Sequence, residues 1–234
     1  MQDQQLTGLI REGIEALNNN HLEPARDALK KAVALEAGHP VALYFLGLTL
    51  CKLGQWQEAE PYLRRACQIS PEKADVTLQL AQCLRAQRRA GEAIVLCRKL
   101  LLQVPGHAGA VLELAKAQQD CGDVAGAEQS FRALLDFPPA LELATLNLSD
   151  LLGSSGRAAE AETLLRAALA RPRDNAQLQD ALTFQLARSL RAQLRFAEAL
   201  ALLGTLGAEF TQSAIADVQR ERAVNLQHLG STAQ

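Results

Sequence analysis

The feature that most constrains this chain is a pattern that returns every 34 residues. One column of the pattern holds alanine in every copy: Ala25, Ala59, Ala93, Ala127, Ala161 and Ala199. A second column, twelve residues earlier, holds a small residue in every copy: Gly13, Gly47, Ala81, Ala115, Ser149 and Ala187. The spacing is 34 throughout, except for a step of 38 before the sixth copy. A fixed period of this length predicts a stack of similar units, each packed on its neighbours.

Within one unit, apolar residues recur at helical spacing twice, with a polar break such as 52–55 between them. Each unit is therefore predicted to be two antiparallel helices whose small residues face each other where the helices cross. Gly54, Gly122, Gly156 and Asn20 occupy the break and suit a left-handed turn. At the same place the third and sixth copies hold larger residues, Arg88 and Leu194, which predict a different turn geometry there.

The second copy combines Leu46-Gly47, Gly54, Ala59, Ala66 and Pro71. With these residues the chain resembles the tetratricopeptide repeat family. The resemblance implies an all-α fold, an α-solenoid in which antiparallel helix pairs form a right-handed superhelix. We expect a single domain over 1–234, with repeats at about 6–39, 40–73, 74–107, 108–141, 142–175 and 180–213. Residues 213–230 are predicted to form one more helix. It is either a capping helix, whose polar outer face shields the end of the stack from water, or the start of a truncated seventh repeat ending at 234.

Composition argues against several functions. Lys and Arg number 24 against 26 Asp and Glu, so there is no cationic excess and we expect no nucleic-acid partner. No signal peptide or membrane span is recognisable, and five cysteines without a CxxC pair suggest reduced thiols in the cytoplasm. His39 and His107 lie in the short links between repeats and are expected to be turn residues that cap backbone groups on the surface. No catalytic or metal-ligand motif is found, so we expect a non-enzymatic protein without cofactor or metal.

The resemblance implies a concave groove lined by the first helix of each repeat, where a peptide of a partner protein binds. The candidate peptide-binding residues are Ile14, Tyr44, Phe45, Leu48, Gln79, Gln82, Arg85, Glu113, Lys116, Asn147, Asp150, Phe184, Gln185, Arg188 and Arg191. An apolar ligand residue is predicted to dock near Tyr44 and Phe45, with its polar part beside the amides and arginines. The alternative is that Tyr44, Phe45 and Leu48 are buried by packing.

The sequence therefore predicts a protein-binding scaffold. A second hypothesis is a substrate-recruiting module at the N-terminal end of a larger enzyme, of the transferase or hydroxylase class. A third is self-association through an exposed terminal helix, which would give a homodimer.

Overall fold

The computed structural model describes residues 2–171 and 174–231, and the regular structure of these residues is helical. The helices are α1 (Gln2–Asn18), α2 (Leu22–Leu35), α3 (Pro40–Lys52), α4 (Trp56–Ile69), α5 (Ala74–Ala86), α6 (Ala90–Gln103), α7 (Ala108–Asp120), α8 (Val124–Leu134), α9 (Leu141–Ser154), α10 (Ala158–Leu169), α11 (Ala176–Ala192), α12 (Phe196–Gly204), α13 (Ala208–Ser213) and α14 (Ile215–Ser231). The predicted all-α fold is confirmed. The last three residues of the predicted seventh repeat, 232–234, lie outside the described residues.

The chain forms two compact units, Met1–Ala127 and Glu128–Gln234. In the first unit, α1 packs on α2, α3 on α4 and α5 on α6, and each pair also packs on the first helix of the next. In the second unit, α9 packs on α10, α11 on both α10 and α12, and α14 on α12 and α11. Each unit is therefore a series of helical hairpins. Within the described residues, no helix combines the length and the apolar character that a membrane crossing requires.

The recurring alanines are buried in both units. A Cβ added at Gly13 would lie 2.5 Å from Cγ of Leu29, and one at Gly47 would lie 2.6 Å from Cγ of Leu63. At Gly13 and Gly47 the nearest neighbour of the small residue is therefore a leucine of the second helix, four residues beyond the recurring alanine, and not the alanine that the sequence predicted there. This contact explains why these two positions hold glycine.

The turn inside each hairpin corrects one prediction. The backbone φ is +64° at Arg88 and +63° at Leu194, the same left-handed region as Asn20 (+59°) and Gly54 (+75°). The expectation of a different geometry at Arg88 and Leu194 is wrong. The hydrogen bonds agree, because the amide N–H of Arg89 donates to the Leu84 carbonyl at 2.9 Å, as a helix-ending left-handed turn requires.

Neighbouring side chains hold the turn at Arg88 in this conformation. Gln87 Nε2 donates to the carbonyl oxygen of Trp56 at 3.3 Å and to Glu60 Oε2 at 3.0 Å. Arg89 donates to the same Glu60 oxygen at 2.6 Å. Both residues that flank Arg88 are thus anchored to the preceding hairpin. A left-handed non-glycine residue costs about 1–2 kcal/mol, which these hydrogen bonds offset.

The turn at Leu194 has the same anchor. Gln193 Nε2 donates to the Ala158 carbonyl at 3.4 Å and to Glu162 Oε2 at 2.8 Å, and Arg195 donates to Glu162 at 2.7 Å. The pattern Gln-x-Arg therefore accompanies both turns that lack glycine or asparagine.

Helix starts follow the local sequence. The Nδ1 atoms of His39 and His107 accept hydrogen bonds from the amides of Ala42 (3.3 Å) and Ala110 (3.2 Å). The predicted capping role of these two histidines is therefore confirmed.

Candidate functional site

The first unit contains a groove of about 600 Å³ that is formed mainly by α3, α5 and α7, the first helices of three consecutive hairpins. We call it the first-unit groove, and its lining residues are Leu48, Cys51, Lys52, Trp56, Gln79, Gln82, Arg85, Ala86, Glu113 and Lys116. Six of the candidate residues come together here: Leu48, Gln79, Gln82, Arg85, Glu113 and Lys116. Trp56 was not predicted as a site residue, because it lies at the start of α4, a second helix.

A buried carboxylate organises the polar wall of the first-unit groove. Glu113 is only 4% exposed, and its carboxylate lies 3.4 Å from Arg85 Nε and 3.5 Å from Lys116 Nζ. Gln82 Nε2 donates to Glu113 Oε1 at 3.3 Å, and Arg85 Nη1 pairs with Asp120 at 2.9 Å. Glu113, proposed from sequence as a groove residue open to a ligand, therefore acts as a support that orients its neighbours.

Arg85 stays charged in this setting. Burial by itself lowers the pKa of the Arg85 guanidinium, but the hydrogen bond and charge of Asp120, together with Glu113, raise that pKa above its ordinary value. Lys52, in contrast, is exposed and makes no ion pair with any residue that the structure describes. The first-unit groove thus offers one free ammonium group beside a set of groups that are already paired.

The apolar side of the groove is formed by Leu48, Trp56 and Cys51. The hydrogen bond with Cys83 and burial raise the pKa of the Cys51 thiol, so it remains protonated and unreactive. Cys51 therefore contributes apolar surface and no chemistry.

The structure separates Tyr44 and Phe45 from the first-unit groove. Their rings meet edge to face with centroids 5.1 Å apart, and both pack against the core of the first unit. They line a second, smaller cavity of about 160 Å³ with Pro40, Val41 and Val76 among its walls. Burial, and then the charge of Asp75, raise the pKa of Tyr44.

Ile14 is also placed away from the groove. It packs against the apolar cluster that contains Leu6, Ile10, Ala32 and Ala42. The apolar candidate residues of the first unit, Ile14, Tyr44, Phe45 and Leu48, are therefore divided among separate places.

The second unit contains its own pocket of about 220 Å³, formed by α9 and α11. We call it the second-unit pocket, and its lining residues are Ser149, Asp150, Gly153, Ser154, Gln185, Arg188, Ser189, Arg191 and Ala192. Arg188 Nη1 donates to Asp150 Oδ1 at 3.0 Å and to Gln185 Oε1 at 2.8 Å. Arg191 pairs with Glu221 of α14 at 2.7 Å. Both arginines of this pocket are therefore neutralised by the unit itself.

Two candidate residues of the second unit lie elsewhere. Asn147 Nδ2 donates to the Leu143 carbonyl of its own helix at 2.6 Å and does not line the pocket. The ring of Phe184 lies 5.9 Å from that of Phe210, beside a separate cavity of about 210 Å³.

Glu221 lines this separate cavity and was not predicted as a site residue from the sequence. It stands two residues before Ala223 in α14, as Glu113 stands two residues before Ala115 in α7. Glu113 forms an ion pair with Arg85, and Glu221 forms one with Arg191. In both cases the arginine lies on the preceding first helix. Aligning α14 with α7 in this way would have pointed to Glu221.

Among the residues that the structure describes, no group of three or more His, Cys, Asp or Glu side chains is arranged to hold a metal ion. The two sites therefore present amides, charged side chains and apolar surface. These groups suit recognition of another chain.

Comparisons with known proteins agree with this architecture. Two family models, both described as Tetratricopeptide repeat, match residues 10–74 and 84–146, which together make up more than half of the chain. The curated protein described as Cellulose synthase 1 operon protein C, from Komagataeibacter xylinus, is 28% identical over 171 residues. That match takes in 68% of this chain but only 13% of the Komagataeibacter protein.

Solved structures show the same fold. A tetratricopeptide repeat protein from Parabacteroides merdae superposes with a TM-score of 0.72 at 19% identity, over 97% of this chain and 93% of that one. PilF of Pseudomonas aeruginosa superposes with a TM-score of 0.65 at 20% identity, over 92% of this chain and 99% of PilF. MamA of Desulfovibrio magneticus superposes with a TM-score of 0.63 at 16% identity, over 70% of this chain and 93% of the MamA chain. At these identities the likeness extends to the fold alone.

Proposed function

Because the chain belongs to the tetratricopeptide repeat family, we propose that it is a non-enzymatic scaffold that binds an extended segment of a partner protein in the first-unit groove. Repeats of this family generally mediate protein–protein interaction, and the fold is typically non-catalytic. The proposal assigns that general role to one surface of this chain.

The observation that carries the proposal is the pairing of an apolar strip with hydrogen-bonding groups across three consecutive first helices. Leu48 and Trp56 supply the apolar strip, and Gln79 and Gln82 supply amides that can bond backbone N–H and C=O groups. Adjacent helices lie about 8–10 Å apart, and an extended peptide advances about 3.3 Å per residue. Three helices therefore match a segment of roughly six residues.

Charge gives the segment a preferred character. Lys52 is free, and Lys116 lies 3.5 Å from a carboxylate that is shared with Arg85, so the exposed part of the groove has surplus positive charge. A partner segment with an acidic side chain beside an apolar one complements this arrangement.

The experiment compares wild type with Lys52→Glu and Lys52→Arg. Partners are captured from a cell lysate and identified by mass spectrometry, and a synthetic peptide from the captured region is then titrated against purified protein. We expect Lys52→Glu to weaken peptide binding about tenfold, a loss of about 1.4 kcal/mol, and Lys52→Arg to restore it. The matched control is Lys31→Glu, because Lys31 is an exposed lysine of α2 that does not line the groove. Equal binding by wild type and Lys52→Glu would place the site elsewhere.

A second candidate is that the repeats recruit substrates for a larger enzyme. Its support is the Komagataeibacter relative, in which the matched stretch is a small part of a much longer protein. The mass of the native gene product, measured on a blot of the source cells, distinguishes a free scaffold from a module of a longer chain.

We also propose that the protein works in a reducing compartment such as the cytoplasm. All five cysteines are free thiols, and three of them are buried as apolar packing groups. Alkylation of the native protein directly after lysis would test this, because the exposed Cys121 should be fully modified if it is reduced in the cell.

A further inference from the structure

The second helices of four repeats carry an arginine in the same column, at Arg64, Arg98, Arg132 and Arg166. In three of the four, the arginine pairs with the glutamate four residues before it. Arg64 lies 2.7 Å from Glu60, Arg132 lies 2.8 Å from Glu128, and Arg166 lies 2.8 Å from Glu162. The column is therefore a repeated intrahelical ion pair.

Arg98 of α6 is the exception. Ile94 stands where the other repeats have the glutamate. A second acidic partner is missing as well. Arg64 and Arg132 each form a further ion pair with a glutamate of the next repeat, Glu92 and Glu160, and Gly126 occupies the equivalent position for Arg98. Within the described part of the chain Arg98 has no ion pair, although it is exposed on the same helix face as its paired equivalents.

Exposed apolar side chains flank this arginine. Val95 is 66% exposed and Leu102 is 85% exposed, and both lie on the outer face of α6. The equivalent positions in the second, fourth and fifth repeats hold Pro61 and Gln68, Gln129 and Asp136, and Thr163 and Ala170. Two large aliphatic residues at these positions thus occur in the repeat whose arginine lacks its glutamates.

A crevice lies beside this face. It has a volume of about 70 Å³ and is lined by residues of α4, α5 and α6 together with Pro71 of the intervening loop. Lys99 lines this crevice together with Leu96 and Cys67, and it has no ion pair among the described residues. A space of this size between helices accepts one small aliphatic side chain.

We propose that the outer face of α6, formed by Val95, Arg98, Lys99 and Leu102, is a docking surface for an acidic amphipathic helix of a partner protein. A partner carboxylate takes the place of the absent glutamate at Arg98, where the fork of the guanidinium can bind both oxygens. Val95 and Leu102 are seven residues apart, about 10 Å along the helix, which matches apolar residues two turns apart on a partner helix. This surface is distinct from the first-unit groove and does not depend on the function proposed there.

The observations favour a protein over other anionic partners. Membrane-binding basic segments carry clusters of about four to eight cations, whereas this face has two. The aliphatic residues here offer no aromatic platform for bases, and the whole chain has a formal charge of −2. A crevice for a single side chain is a feature of protein interfaces.

The test uses a fluorescein-labelled synthetic helix of 18 residues as its probe. This probe is built from Leu, Glu and Ala with the leucines on one face, and binding is measured by fluorescence anisotropy. We expect Arg98→Glu and Leu102→Asp each to weaken binding about tenfold. Ala170→Asp places the same residue at the equivalent position of the fifth repeat and should leave binding unchanged. Circular dichroism melts establish that each variant is folded.

Two further measurements decide between occupants. Carbodiimide coupling joins carboxylates to lysine amines, so the peptide should be linked to Lys99 and the linkage should be lost in Lys99→Arg. A peptide of the same composition with scrambled leucines should bind at least tenfold more weakly. Equal binding of the ordered and scrambled peptides, or an effect of Ala170→Asp equal to that of Leu102→Asp, overturns the proposal. A different result would be co-sedimentation with phosphatidylserine vesicles that is abolished by Leu102→Asp, while the peptide does not bind. That result would overturn the proposal of a partner helix and indicate that this face binds a membrane.

Discussion

The first-unit groove and the second-unit pocket are built from the same positions of the repeat, yet they present different surfaces. Arg85 and Arg191 occupy equivalent places, and each pairs with a glutamate of the next first helix, Glu113 or Glu221. The lining of the first-unit groove contains three cations, Lys52, Arg85 and Lys116, but one carboxylate, Glu113, and Lys52 has no ion-pair partner among the described residues. In the second unit Asp150 also takes up Arg188, so no cation of the pocket is left over. The position of a residue within the repeat therefore determines where its charge lies. The side chains of the neighbouring repeat determine whether that charge is already in an ion pair or is available to a partner.

The largest expected effect comes from removing the two glutamates. Glu113→Ala leaves Arg85 and Lys116 without their shared carboxylate in a buried setting, and should lower the free energy of unfolding by about 3 kcal/mol. Glu221→Ala should cost less, about 1 kcal/mol, because the Arg188 and Arg191 side chains that it pairs with are more exposed. Urea denaturation of both variants gives the two values. Equal losses would mean that the two sites are supported in the same way.

The second prediction concerns acid. Burial pushes the pKa of Glu162 upwards, but hydrogen bonds from Arg166, Gln193 and Arg195 lower it to about 2, below the ordinary value of 4.5. A carboxyl whose pKa is lowered by folding stabilises the protein above its ordinary pKa, and this contribution is lost as the pH falls from about 4.5 towards 2. The melting temperature of wild type should therefore exceed that of Glu162→Gln at pH 7, and the difference should shrink below pH 4.5.

The first unit offers a matching measurement at Glu60. There burial again raises the pKa, and hydrogen bonds from Arg64, Gln87 and Arg89 bring it below the ordinary value. Glu60→Gln should show the same sign of pH dependence as Glu162→Gln. The matched control substitution is Glu12→Gln, at an exposed glutamate of α1. A difference between wild type and Glu162→Gln that stays constant from pH 7 to pH 3 would contradict the role of the ionised carboxylate.

The smallest effect is expected at the turns. Leu194 is 73% exposed with a φ of +63°, so Leu194→Gly removes conformational strain at little loss of buried surface. We expect a stabilisation of up to about 1 kcal/mol, reduced by the greater freedom of glycine in the unfolded chain. Arg88→Gly should act in the same direction in the first unit. The reverse change, Gly156→Leu, should destabilise by about 1 kcal/mol, and thermal melts that show no effect of it would argue against strain at these turns.

Much of the fold could be predicted because its signals are local and repeated. The small residues at Gly13 and Gly47 and the glycines of the turns reflect requirements within a single hairpin. The capping histidines, His39 and His107, bond amides three residues away. Arg88 and Leu194 could not be predicted in this way, since their left-handed backbone is held by Gln87, Gln193 and their arginines through bonds to the preceding hairpin.

The candidate site was predicted only in outline. The family resemblance implied that first helices line the groove, and six residues of the first-unit groove were named in advance. It did not predict that Glu113 would be buried or that Tyr44 would line a separate cavity. Exposure depends on the side chains that neighbouring hairpins bring to the same place, and these differ from one repeat to the next.

By itself the sequence determined the helix pairs, their 34-residue period and the close crossing within each pair, because each depends on residues near one another in a repeated pattern. Only the tertiary structure decided which charges are paired and which remain free. Arg85 reaches Asp120 across 35 residues and Arg188 reaches Asp150 across 38, so each outcome depends on the packing of separate hairpins. Among the described residues without an ion pair are Lys52 in the groove and Arg98 and Lys99 on the outer face of α6, and these are the groups that we propose a partner binds.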